Sequence, residues 1–257
     1  MRWVRRGAVG VLALLVLAGL VLWFMPARVL VERLEPVRSG QLVVQDTRGT
    51  VWHGSASGVA WQGAPWGRID WKLSPWRALL GRLDLQVDIA GPALTGRGRF
   101  RDAEGGWRLS DAVAETDAAP IQGLFLAAGL QPTGRLVFSI DEIRIRNRLP
   151  VQVRGEVRWL DAALSGAASG RIGEVALAVD TPVEGQVRGV LSDAGGPLAV
   201  EGGLEVSWLG YGVDARLQPR VDGLGPVLDR IAQPDGNGAW RLLAEGGWLA
   251  RRTRETQ

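Results

Sequence analysis

Apolar and polar residues alternate with a period of two along most of the chain after residue 41. The clearest case is the range 82–90, in which leucine, valine and isoleucine occupy the odd positions and charged or amide residues occupy the even ones up to Asp88. Such alternation predicts β-strands with one buried and one solvated face. The same pattern recurs in the ranges 67–73, 151–159, 175–179, 183–191, 198–206 and 209–217. Short connections between these segments favour antiparallel hairpins.

One long apolar run, Arg135–Arg146, changes its register. Its apolar residues are even-numbered up to Ile140 and odd-numbered from Ile143. Because one extra residue moves every later side chain to the other face, we predict a β-bulge at Asp141–Glu142.

Three short helical patches interrupt the strands. The best defined is Ser74–Gly81, with serine at the N-cap, Pro75 at the first helical position and glycine at the end. Two others are predicted at 120–129 and 226–231, and a last strand follows at 239–245. The pattern therefore predicts a mainly β fold, an antiparallel, strongly twisted and meandering sheet with a few short helices. A closed sandwich and an open groove both satisfy it.

The first residues form a separate segment. Residues 7–25 carry no charge, and a helix of about 20 such residues crosses a bilayer. Arg2, Arg5 and Arg6 precede this run, which predicts a cytoplasmic N-terminus. The alternative, a cleaved signal peptide, is disfavoured because the run is long and no small-x-small site follows it.

This gives five segments in the predicted organisation. Residues 1–6 are cytoplasmic, 7–25 form a single transmembrane helix and 26–40 form a juxtamembrane connector. A helix continuing into the connector is expected to end at Pro36. Residues 41–248 form a periplasmic β-rich domain, and 249–257 form a tail that we expect to be disordered.

Charge and composition exclude several functions. Without Arg2, Arg5 and Arg6, the 30 basic residues fall to the same number as the 27 acidic ones. The exported part is then neutral, so nucleic-acid binding loses its electrostatic attraction. The chain contains no cysteine, which excludes thiol catalysis, iron–sulfur clusters and cysteine zinc sites. No cofactor is expected.

Catalytic constellations are nearly absent from the sequence. His53 is the only histidine, and Ser55 follows it too closely on an extended strand for a comfortable nucleophile–base pair. We interpret His53 as a partly exposed strand residue, and Asp84 and Asp88 as solvated charges on the wet face. We therefore predict that the protein is not an enzyme. A hydrolase using carboxylates from different strands is kept as a minor alternative.

Tryptophan is concentrated near the start of the β-rich region, at positions 52, 61, 66, 71 and 76. These residues either anchor a hydrophobic layer with their N–H groups at its rim, or form a surface for a protein, sugar or lipid.

An ordered series of short motifs resembles one protein family. The series begins with Gly49-Thr50-Val51-Trp52-His53-Gly54, continues with Ile69-Asp70-Trp71-Lys72-Leu73-Ser74-Pro75-Trp76 and Leu79-Leu80-Gly81, and ends with Asp193-Ala194-Gly195-Gly196-Pro197-Leu198. It is similar to the type II secretion system protein N family (general secretion pathway protein N). The family motif residues carried over, as structural or interaction positions, are Gly49, Thr50, Trp52, Gly54, Trp71, Pro75, Trp76, Gly81, Gly196, Pro197 and Leu198.

The resemblance implies a function without catalysis. It implies an inner-membrane accessory component of the type II secretion machine, which exports folded proteins from the periplasm across the outer membrane. The expected partners are other inner-membrane components of that system. The alternative is a periplasmic β-groove protein similar to AsmA-like proteins, which binds or transfers lipid. A membrane-anchored sheet with one apolar face suits both hypotheses.

Overall fold

The computed structural model describes residues 25–32, 35–147, 149–207 and 209–247. Contacts divide the chain into two compact units, Met1–Ala93 and Leu94–Gln257, which we call the N-unit and the C-unit. Residues 7–24 of the predicted membrane span, and the whole predicted tail, lie outside the described residues. Within the described ranges, every helix is too short or too polar to reach across a bilayer.

The N-unit is a small antiparallel sheet with three short helices. Its strands are β1 (Leu42–Val43), β2 (Asp46–Gly49), β3 (His53–Trp61), β4 (Ala64–Leu73) and β5 (Asp84–Ala90). Its helices are α1 (Ala27–Val31), α2 (Glu35–Arg38) and α3 (Pro75–Leu79). Strand β3 pairs with β1, β2 and β4, and β4 pairs with β5.

The C-unit is a longer antiparallel meander. Its strands are β6 (Leu94–Ala103), β7 (Gly106–Asp117), β8 (Leu130–Arg146), β9 (Leu149–Gly166), β10 (Gly170–Val183), β11 (Gln186–Asp193), β12 (Leu198–Val206), β13 (Gly210–Pro219), β14 (Gln233–Pro234) and β15 (Trp240–Gly247). Its helices are α4 (Gln122–Phe125), between the 3-10 turns Ala119–Ile121 and Leu126–Ala128, and α5 (Gly225–Leu228). Each strand from β6 to β12 pairs with the next, and β15 lies between β13 and β14 and pairs with both. The predicted mainly β, antiparallel class is confirmed.

The predicted β-bulge is also confirmed. On β8, Ile140 pairs with Gly155 of β9, whereas Glu142 pairs with Arg154, so Asp141 is the extra residue. The insertion explains why the apolar positions change from even to odd along one strand.

Two predicted boundaries are wrong. The range 183–191 is not one strand, because β10 ends at Val183 and β11 begins at Gln186 after a two-residue turn. Pro36 does not end a continuous helix. Helix α1 ends at Val31, and Pro36 is the second residue of α2, in the first helical turn, where proline removes no intrahelical hydrogen bond.

The core of the C-unit lies at one end of its strands. Leu130, Leu164 and Leu198 are buried there against Val227 and Leu228 of α5. At the opposite end of β12 and β13, the same apolar face is only half-buried at Leu204, Val206 and Val213. The apolar face is therefore covered at one end and accessible at the other.

Candidate functional site at the Met25 end

The described chain begins in direct contact with the N-unit sheet. The carbonyl oxygen of Met25 accepts a hydrogen bond from the Val51 amide at 3.0 Å, and Pro26 forms an antiparallel bridge with Thr50. Ala27, in the next turn, is fully buried. Residue 25 is therefore attached directly to the sheet, without an intervening linker. We call this end of the sheet, with residues 25–31, 49–54 and 71–84, the Met25 end.

A tight turn between β2 and β3 receives this segment. Gly49 has φ of +85°, and a Cβ there would lie 2.4 Å from the His53 carbonyl oxygen, so only glycine fits without strain. The Thr50 amide donates to that same oxygen at 2.8 Å. The Trp52 carbonyl accepts from the Leu73 amide at 2.7 Å, which fixes the end of β4 beside the turn.

Trp71 locks the turn from the neighbouring strand. Its indole Nε1–H donates to the Val51 carbonyl oxygen at 3.1 Å. Gly54 is paired with Trp71 across β3 and β4, and a Cβ on Gly54 would lie 2.3 Å from the indole Cζ2. Trp71 therefore needs glycine at position 54, which gives this motif residue a packing role.

The segment Ser74–Leu83, which we call the Trp76 segment, projects from the same end. Helix α3 follows Ser74 with Pro75 at its first residue, as predicted, although the Ser74 side chain makes no cap hydrogen bond. Gly81 ends the segment's turn with φ of +70°. Trp76, Leu79 and Leu80 are 74%, 61% and 77% exposed, a concentration of apolar surface on one short segment.

Some of the clustered tryptophans match the hydrophobic-layer interpretation, and one matches the binding-surface interpretation. Trp71 packs and donates its N–H as the layer interpretation requires, and Trp61 stacks on Trp66 with ring centroids 5.7 Å apart. Trp76 contradicts that interpretation, because it is exposed and matches the surface interpretation instead.

Asp84 corrects another expectation. It occupies the even-numbered, polar side of β5 but is only 6% exposed, so it is not a solvated charge. Its carboxylate lies 3.3 Å from the Arg77 Nε, because the Trp76 segment folds back over the start of β5. Asp88 is exposed, as expected.

The polar face of the N-unit carries the lone histidine. His53 is exposed at the first residue of β3, as interpreted, and it lies beside Ser55 and Lys72 in a shallow cavity of about 370 Å³. Hydrogen bonds from Arg68 lower the pKa of Asp70 on the same face, so that carboxylate is ionised at neutral pH. Among the residues that the structure describes, no group of three histidine or carboxylate side chains could hold a metal ion.

The remaining motif residues belong to the C-unit. A Cβ on Gly196 would lie 2.9 Å from the Ile172 carbonyl oxygen, Pro197 accepts the Arg220 amide at 2.8 Å through its carbonyl, and Leu198 is buried in the core. The structure thus gathers the motif residues from Gly49 to Gly81 at the Met25 end. Gly196, Pro197 and Leu198 form a second set within the C-unit.

Asp193, the first residue of the last motif, was not among the residues carried over as sites, although it is the centre of the second set. The Asp193 carboxylate accepts the Gly195 and Val200 amides at 2.8 and 2.9 Å and the Arg220 Nη1 at 2.6 Å. The Arg220 guanidinium is the largest cause, and these amides add to it, in lowering the pKa of Asp193 to about 2 against the effect of burial. The available signal was an aspartate two residues before a glycine pair, which is typical of a carboxylate-capped turn.

The fold and this site place the chain in the class of antiparallel β-meander proteins. In this protein the turn between β2 and β3, which Gly49 and Trp71 fix, holds the segment that begins at Met25 against the sheet. The family described as type II secretion system (T2SS), protein N, matches residues 40–242. A relative from Vibrio cholerae serotype O1, named type II secretion system protein N, is 26% identical over 250 residues, covering 92% of this chain and 96% of its own. No solved structure matches the chain. The chain belongs to the type II secretion system protein N family.

Proposed function

We propose that the protein is a non-enzymatic accessory component of type II secretion, anchored in the inner membrane by residues 7–25 and acting in the periplasm through protein–protein contacts. The observation that carries this proposal is the family match over residues 40–242. The apolar run immediately before Met25 supports the anchoring. The contacts of Met25 and Pro26 with Val51 and Thr50 of the N-unit agree with a domain held close to the membrane.

The contact face that we propose for partner subunits lies on the C-unit sheet. Val190 and Leu243 are exposed apolar residues, and the register of β11, β12, β13 and β15 places them in one row across Gly203 and Asp214. Both side chains are accessible from solvent, so they are suitable positions for crosslinking probes on this face.

The test combines secretion with crosslinking in the native bacterium. A deletion strain is complemented with the full-length chain carrying a photoreactive residue at Val190, Leu243 or, as a matched control on the covered face, Val200. We expect the deletion to reduce exoprotein secretion. We also expect adducts with secretion-system subunits from Val190 or Leu243 but not from Val200. Normal secretion in the deletion strain, with no protein adduct at either exposed position, contradicts the proposal.

The second candidate function is lipid binding in an open groove. It is favoured by the half-buried apolar face at Leu204, Val206 and Val213 and by an adjacent cavity of about 630 Å³ beside Tyr211. Cavities of about 300–1,000 Å³ are typical of ligand sites. Extraction of the purified full-length chain followed by lipid mass spectrometry tests it. Phospholipid retained by the wild type and lost with Val206→Glu supports the groove, whereas equal background in both excludes it.

A further inference from the structure

We propose that the Trp76 segment is a membrane-contacting element that rests on the periplasmic lipid surface beside the predicted anchor. This inference rests on the proposed inner-membrane anchoring, because it needs a bilayer at the Met25 end. The surface that it contacts is an anionic phospholipid bilayer. Contact with a protein partner instead is the outcome that would contradict this proposal.

The Trp76 segment lies close to the end of the predicted membrane span. The carbonyl oxygen of Met25, the last residue of that span, accepts a hydrogen bond from Val51. The next residue, Trp52, accepts one from Leu73, which immediately precedes the Trp76 segment. Adjacent strands are about 4.8 Å apart, so the segment begins within roughly 10–15 Å of the point where the chain is expected to leave the bilayer. The buried Ala27 and the Pro26–Thr50 bridge leave no linker that could carry the sheet away from the lipid.

Chemistry is the second argument. The segment presents Trp76, Leu79 and Leu80, and it contains Arg77 and Arg82 but no acidic residue. Indole rings favour the membrane interface, leucine inserts below the headgroups, and arginine binds lipid phosphates. Arg77 is partly neutralised by Asp84, whereas Arg82 is exposed. Each basic residue at an anionic surface changes the bound-to-free ratio by about fivefold.

Exposure is the third argument. Single exposed apolar residues are ordinary on protein surfaces, but apolar residues grouped on one short segment mark an interaction site. The opposite end of β3 and β4, at Ala64, supplies a matched comparison. It belongs to the same unit and the same pair of strands, is also exposed, and lies at the far ends of those strands from Met25.

The experiment uses the absence of cysteine from the chain. Full-length Leu80→Cys and Ala64→Cys proteins are labelled with the environment-sensitive fluorophore NBD and placed in nanodiscs of phosphatidylethanolamine and phosphatidylglycerol. A fraction of the lipid carries a spin label near the headgroup. We expect blue-shifted and strongly quenched emission from the label at position 80, and solvent-like, unquenched emission at position 64. Arg82→Gln is expected to lower the docked-to-undocked ratio about fivefold in discs containing phosphatidylglycerol.

The outcomes separate this inference from the proposed function. Equal, solvent-like emission at both positions overturns the membrane contact while leaving anchoring intact. A chain that does not co-purify with the discs at all contradicts the anchoring itself. If position 80 is unquenched in discs but a photoreactive residue there captures a protein in cells, the segment is a protein-binding site and the lipid contact is wrong.

Discussion

The Asp193–Arg220 pair makes the sharpest quantitative prediction, through the substitution Asp193→Asn. The Asp193 side chain is 10% exposed and uses both carboxylate oxygens. Oδ1 accepts the Val200 amide, Oδ2 accepts the Gly195 amide, and the Arg220 guanidinium donates to both oxygens. Asparagine keeps one acceptor oxygen, places an N–H₂ group where the other oxygen was, and removes the ion pair. The variant is therefore expected to be less stable.

The magnitude follows from the pKa. A shift from the ordinary value of 3.8 to about 2 corresponds to about 2.4 kcal/mol of stability at neutral pH. Because the Arg220 side chain is 44% exposed and screened by water, we expect about 1–2 kcal/mol. The folded pKa lies below the unfolded one, so the contribution is complete above about pH 4 and is lost as the pH falls through about 2. For a domain of this size the loss lowers Tm by about 2–8 °C.

The assay is thermal unfolding of the full-length protein in non-ionic detergent, followed by tryptophan fluorescence between pH 7 and pH 2. The matched control is Asp214→Asn, which breaks the pair with Arg241, where both side chains are more than half exposed. We expect no resolvable change in Tm for that variant. If Asp193→Asn melts like the wild type at pH 7, the ion pair does not stabilise the fold. If the difference in Tm between the two proteins stays constant down to pH 2, the stabilisation does not come from the ionised Asp193 carboxylate.

Two further substitutions test the packing, one in each unit. Gly54→Ala places a methyl group against the Trp71 indole, so we expect its Tm to fall by several degrees. Gly123→Ala has open space around it and is expected to change Tm little, and equal Tm values for the two variants would disprove the close packing at Gly54. Leu228→Ala is expected to cost about 2–5 kcal/mol by leaving a cavity in the C-unit core, against a change within about 0.5 kcal/mol for the exposed Leu243→Ala. Chemical denaturation of both leucine variants measures this difference, and similar losses would place the core elsewhere.

The period-two pattern predicted most strands because a strand with one buried and one solvated face must alternate apolar and polar residues. Strand β12 spans Leu198–Val206, the range that the pattern indicated. The same pattern gave no sign of the hairpin that follows Val183. In the register of β10 and β11, Val179 faces Gly189 and Leu177 faces Leu191, so odd positions point the same way on both strands. At the turn itself Val183 faces Gln186, and a register shift between Asp180 and Val183 separates this pairing from the rest of the hairpin. The shift keeps the apolar positions odd-numbered on both strands, so the sequence shows no break, although Val183 itself is exposed.

The burial of Asp84 could not be predicted from alternation. Its strand position is on the polar side, and periodicity describes a sheet face without describing what lies over it. Arg77 reaches Asp84 only because the Trp76 segment folds back at the end of β4, which is a tertiary event. The exposure of Trp76 and the burial of Asp84 are two consequences of that one fold-back, and the sequence pattern contained neither.

The motif residues at the Met25 end are best explained as parts of one mechanical junction. Gly49 permits the turn, Gly54 makes room for Trp71, and Trp71 holds the Val51 carbonyl, whose own amide binds Met25. We expect these contacts together to restrict the angle at which the N-terminal segment leaves the sheet. A methyl group at position 54 should therefore disturb the direction of that segment as well as the stability of the turn. If the Trp76 segment rests on lipid, Gly54→Ala should also reduce quenching at position 80, although it lies outside the lipid-contacting residues.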